Sequence, residues 1–97
     1  MKQYHCSTYI MANQRNTVLY VGATANLVKR VWQHKQKFFK DSFSSQYNIN
    51  KLVYYENFQY IRDARNREKQ LKAGPRKKKT ELIERENPQY KDLAERW

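Results

Sequence analysis

Both prolines of this chain, Pro75 and Pro88, fall where a helical pattern stops, and only two glycines accompany them in 97 residues. So few breakers exclude a low-complexity chain. Gly74-Pro75 closes a segment running from about Ile61 to Ala73, as a Gly cap followed by Pro closes a helix. Asn87-Pro88 ends a second helical segment, Arg76 to Glu86, and Tyr90 to Trp97 reads as a last helical turn or two. Upstream the pattern changes. Residues 3–12 are rich in β-branched and aromatic types and suit a strand, as do Thr17 to Val21, stopped at Gly22, and Leu52 to Glu56. The polar tetrad Asn13-Gln14-Arg15-Asn16 fits a hairpin turn between the first two strands. A first helix starts after Asn26, a good N-cap, and its apolar face takes in Leu27, Val28, Val31, Trp32 and Phe38. Arg30 and His34 lie four apart on the rim of that face, and residues 41–50 read as a loop. This order of hairpin, helix, strand and helices predicts an α/β (α+β) sandwich whose sheet is at least partly antiparallel. The whole of 1–97 is expected to form one domain, since a chain this short buries only one modest core.

Charge narrows the partner. Twenty Lys and Arg face nine Asp and Glu, a formal net charge of +11, with a pI near 9.9. Residues 1–40 carry seven basic residues and no acid. A one-signed half is what a backbone-binding surface looks like in sequence, so nucleic acid is the expected partner. Fourteen aromatic side chains distinguish the chain from a disordered basic tail. No apolar stretch approaches the ~20 residues of a membrane span, and no membrane partner is expected. Lone Cys6 excludes an internal disulfide and a Cys-based zinc cluster. A reduced, cytoplasmic setting follows, with the nucleoid as its alternative.

Glu68 is the most informative single residue. It falls in the middle of the apolar stripe set by Ile61, Ala64 and Leu71. A carboxylate facing a core needs a partner. Two readings fit: a salt bridge to Arg65 or Arg30, or a ligand to a cation. The scarcity of acids excludes a two-metal site, because the first 55 residues offer only Asp41. With His5 and His34 the only histidines, His-rich zinc chemistry does not fit either. A hydrolase here must work with one carboxylate and one metal ion at most, which Mg²⁺ tolerates. Lys29, Lys35 and Lys37, with the tract Arg76-Lys77-Lys78-Lys79, are the candidate phosphate contacts. Four cations at a helix start oppose the helix dipole, and a polyanion would relieve them. Trp32, Phe38 and Phe39 are candidates for stacking on exposed bases, with core packing the competing reading for Trp32.

Tyr20-Val21-Gly22-Ala23-Thr24-Ala25-Asn26-Leu27-Val28-Lys29-Arg30, followed by His34, resembles the second half of the GIY-YIG nuclease signature. Tyr9 stands where the Tyr of the first triplet belongs, although that triplet reads Ser7-Thr8-Tyr9. Glu68 resembles the family's metal-binding Glu, and Asn87 its downstream Asn. In layout the chain is similar to the small stand-alone bacterial members. The resemblance implies a small three-stranded antiparallel sheet flanked by helices, bearing a phosphodiester hydrolase site. It also implies roles. Tyr9 or Tyr20 orients or deprotonates the attacking water, with nearby cations lowering the phenol's pKa. Arg30 stabilises charge on the scissile phosphate, and His34 acts as base or proton relay. Glu68 holds a single Mg²⁺ or Mn²⁺, and Asn87 orients a phosphate or a neighbouring side chain. The implied activity is endonucleolytic hydrolysis of DNA, in repair, recombination or processing. Branched, flap or single-stranded forms and RNA are open as substrates. A binding module that keeps the fold with little or no activity is the competing expectation.

Overall fold

The computed structural model of the protein describes residues 6–37 and 47–97. The expected start of the first strand at residue 3, the Phe38 end of the first helical face, Phe39, and loop positions 41–46 lie outside the described residues.

Strand β1 (Cys6–Ala12) turns back into β2 (Leu19–Thr24) in an antiparallel hairpin with Ser7 opposite Thr24 and Ala12 opposite Leu19. Asn13 organises the turn. Its Oδ1 accepts the Thr17 and Val18 backbone N–H groups at 2.9 and 3.0 Å, and its Nδ2 donates to Thr17 Oγ1 at 2.8 Å. Asn16 takes a left-handed φ of 59°, a conformation Asn tolerates better than most residues, and its Oδ1 accepts from Lys51 Nζ at 2.7 Å. The expected turn therefore forms, but β2 starts later than expected and runs straight through Gly22 to Thr24. Gly22 stops nothing. Strand β3 (Lys51–Phe58) pairs antiparallel with the other edge of β1, with a register shift between Ile10 and Met11. The order β2-β1-β3 makes the first strand the central one, and the sheet is three-stranded and wholly antiparallel.

Helix α1 (Leu27–Lys35) starts where Asn26 Oδ1 accepts the Lys29 N–H at 3.1 Å. Its buried face is Leu27, Val31 and His34, spaced i, i+4, i+7. Val28 and Trp32, expected on that face, are 57% and 54% exposed. The stripe is rotated because His34, not Trp32, finds a partner beneath the helix. Helices α2 (Ile61–Ala73) and α3 (Arg76–Glu86) match their expected limits. Gly74 ends α2 by donating its N–H to Gln70 O at 3.1 Å, with φ of −81°, so its left-handed freedom is unused. Residues 90–97 make isolated turns rather than a helix.

Alternation along the strands divides the core. One face carries Tyr9, Met11 and Leu52 against Leu27, Val31, Ile49 and Ala94. The other carries Ile10, Ala12, Val21 and Val53 against Leu71 and Ile83. The C-terminal segment occupies the outer edge of β3: Leu93 N–H donates to Leu52 O at 2.7 Å, and Asp92 Oδ1 accepts the Leu52 N–H at 3.1 Å. An otherwise open strand edge is thereby covered. The changed first triplet fits this frame without strain. Buried Ser7 donates to Asn57 Oδ1 at 2.9 Å, and Thr8 Oγ1 donates to Ala64 O at 2.6 Å.

Candidate active site

Hairpin register places Tyr9 opposite Gly22 and Met11 opposite Tyr20, so both tyrosines project from the same face of the sheet. Gly22 is required by what crosses it. A Cβ there would lie 2.5 Å from both Cζ and the hydroxyl oxygen of Tyr9, inside any real contact distance. Thus the glycine serves a close approach, with no positive φ involved. Across that gap the Tyr9 hydroxyl reaches His34 Nε2 at 2.9 Å. Tyr20 completes a cluster of three rings. Its centroid is 6.3 Å from that of Tyr9 and 5.2 Å, edge on, from that of His34. Tyr9 is 1% exposed and His34 6%, while Tyr20 is half-buried at the mouth.

Burial sets the charge state of this cluster. It pushes the Tyr9 phenol well above its ordinary range, and neighbouring Tyr20 and Glu68 push the same way, while Arg30 opposes them. Cations were expected to lower this phenol; Arg30 does act in that sense, but burial outweighs it. His34 is lowered from 6.5 to about 4, by burial first and by Arg30 second. At neutral pH a neutral phenol therefore faces a neutral imidazole, with one proton on the line between them.

Glu68 approaches the cluster from α2. Lys72 Nζ lies 2.8 Å from Glu68 Oε2, one helical turn on. The same ammonium sits 6.0 Å from the Tyr20 ring centroid, linking the pair to the aromatic cluster. Lys72 was not anticipated, although its i+4 spacing from Glu68 was the available signal. Among the described residues no three His, Cys, Asp or Glu side chains converge. One partly open carboxylate nonetheless suits a hard divalent ion, since Mg²⁺ takes one or two carboxylates and completes its shell with water and substrate phosphate. Lys72 is no obstacle, because a half-exposed i,i+4 pair is weakly held.

Tyr9, Tyr20, Arg30, His34 and Glu68 thus share one site, Arg30 through its field on Tyr9 and His34. Asn87 does not join them. It is buried, its Nδ2 donates to Val53 O at 3.1 Å and to Lys91 O at 2.8 Å, and its Oδ1 accepts the Lys91 N–H at 3.0 Å. What it orients is the backbone of the C-terminal segment, not a phosphate. The basic tract divides as well. Arg76 donates to Asn16 O and Thr17 O at 2.7 and 3.1 Å, and Lys79 to Gly74 O at 3.0 Å. These bonds tie down two of the cations at the helix start; Arg76, Lys77 and Lys78 all remain exposed, and Lys77 and Lys78 are the two to which no such internal bond is assigned. Lys35 pairs with Asp92, whereas Lys29 and Lys37 are exposed.

The model of the GIY-YIG catalytic domain matches residues 5–91, nearly the whole chain. No curated protein and no solved structure matches it.

Proposed function

The chain belongs to the GIY-YIG family of nuclease catalytic domains, and from that premise we propose that it is a metal-dependent endonuclease hydrolysing DNA phosphodiester bonds. The observation that carries this reading is the buried Tyr9–His34 hydrogen bond with Tyr20, Arg30 and Glu68 gathered around it. Tyr20, the tyrosine at the mouth, orients the attacking water. His34, in edge contact with Tyr20, accepts the proton at Nδ1, in the tautomer whose Nε2–H donates to the Tyr9 hydroxyl oxygen. Arg30 holds the scissile phosphate with its planar donor fork. Glu68, released from Lys72, would hold a single Mg²⁺ or Mn²⁺. When bound, that ion supplies Lewis-acid stabilisation of charge on the phosphate and leaving oxygen.

Substrate itself helps the base in this scheme. A phosphate beside Arg30 offsets the positive field that contributes to the low pKa of His34. The imidazole then becomes more basic when there is a proton to take.

A binding module with little activity is the second reading, and the near-complete burial of Tyr9 favours it. Cleavage assays separate the two. Labelled single-stranded, duplex and branched DNA, and single-stranded RNA, are incubated with Mg²⁺, Mn²⁺ or EDTA. Metal-dependent products from DNA support the enzyme; binding without products in either metal supports the module. Selectivity for branched or single-stranded DNA is read from the same panel.

A further inference from the structure

Trp32 is the largest apolar side chain that α1 leaves in solvent, and Val28 lies beside it one turn back. Together they expose on the order of 200 Å², judged from the 150–250 Å² of a whole aromatic side chain. A stable protein interface needs roughly 800 Å² from each partner. Such a patch fits a single flat ligand better than a second protein. Cations dominate its surroundings: α1 contains Lys29, Arg30 and Lys35 and no acid, Lys37 follows it, and the acid paired to Lys35 is Asp92 of the C-terminal segment.

Arg30 and Trp32 lie about 160° apart around the helix. A strand whose phosphate sits at Arg30 can pass over the solvent side of α1 and meet Trp32 after an arc of roughly 15 Å around a helix about 10–12 Å across. We infer that Trp32 is a stacking platform for an unpaired base flanking the scissile phosphate. The domain then engages single-stranded or locally opened nucleic acid in preference to intact duplex. This inference rests on the nuclease reading and adds the form of substrate to it. Duplex DNA offers Trp32 only phosphates and groove edges, whereas an unpaired base offers a π-face.

The test uses Trp97→Phe, which leaves Trp32 as the only tryptophan. Binding is followed in EDTA by anisotropy of a labelled oligonucleotide and, separately, by Trp32 emission. The probes are a short single-stranded thymidine oligomer, an abasic strand with as many phosphates, and a duplex. The thymidine oligomer should quench Trp32 about twofold or more, with little effect of the abasic strand or duplex at saturation. Trp32→Ala should weaken binding of the thymidine oligomer about tenfold and leave abasic-strand affinity unchanged, while Trp32→Phe should recover most of the loss. Unchanged affinity of Trp32→Ala for the thymidine oligomer, or the same fold-loss on the base-bearing and abasic strands, overturns the platform and leaves the nuclease reading standing. A shift of the Trp32 emission maximum with protein concentration, without any oligomer, overturns it in favour of a second copy of the chain. No anisotropy change with any probe overturns both readings.

Discussion

The Tyr9 hydroxyl makes its hydrogen bond inside a ring cluster, and the consequences are measurable at single residues. His34 is lowered to about 4, so the folded chain resists a proton that the unfolded chain accepts near 6.5. Stability from the neutral imidazole is complete above about pH 6.5 and is lost as pH falls toward 4. In urea titrations across that interval, wild type should lose stability steeply with falling pH and His34→Asn should lose less. Equal slopes would remove the buried neutral imidazole from the account. Tyr9→Phe deletes the hydroxyl and keeps the ring. It should destabilise by about 1 kcal/mol and lower cleavage by about 10²-fold or more, the scale of a mispositioned base. The members of this cluster were legible beforehand, because Tyr9, Tyr20, Arg30 and His34 fall on the GIY-YIG resemblance and Glu68 interrupts an apolar helix stripe. Lys72 was not, since a lysine on a helix reads as solvated until its neighbours are known. Asn87 misled for a related reason. An Asn before Pro ends a helix whatever its amide does, and here the amide bonds the backbone at Val53 and Lys91.

Among elements, α2 and α3 were readable to their ends because Gly74-Pro75 and Asn87-Pro88 punctuate them. The face of α1 was not, since Val28 and Trp32 are apolar yet point outward while polar His34 points in. Hydropathy alone cannot rank a hydrogen-bonded imidazole above a tryptophan for the core. The length of β2 was missed because a glycine in a strand imitates a stop. Gly22 in fact couples β2 to β1 through the Tyr9 ring. Gly22→Ala should therefore destabilise by about 1–3 kcal/mol, the range for overpacking. Combined with Tyr9→Leu, it should cost less than the sum of the two single changes. Additive losses in chemical denaturation would show that the ring does not hold the glycine in place.

For the whole molecule, the account rests on a polyanion meeting a chain of net charge +11. Binding constants should fall steeply with added salt, and a nearly flat plot of log K against log salt would contradict a phosphate-contacting surface. The structure refines which charges contribute. Lys77→Ala and Lys78→Ala should each weaken binding across sequences and reduce the salt slope by about 1 if the residue contacts a phosphate. Arg76→Ala should act on stability instead, because its guanidinium ties α3 to the Asn16 and Thr17 carbonyls of the hairpin. Charge asymmetry was visible in the sequence; the internal use of Arg76, Lys79 and Lys35 was not, because it depends on which loops α1 and α3 meet.

Cleavage by wild type and Glu68→Ala, assayed side by side with Mg²⁺ at equal substrate occupancy, decides whether Glu68 holds the metal that cutting requires. The account predicts metal-dependent cutting by wild type, its loss in the variant, and nucleic-acid binding retained in both, because binding is spread over many cations. Cutting by Glu68→Ala at the wild-type rate would contradict it.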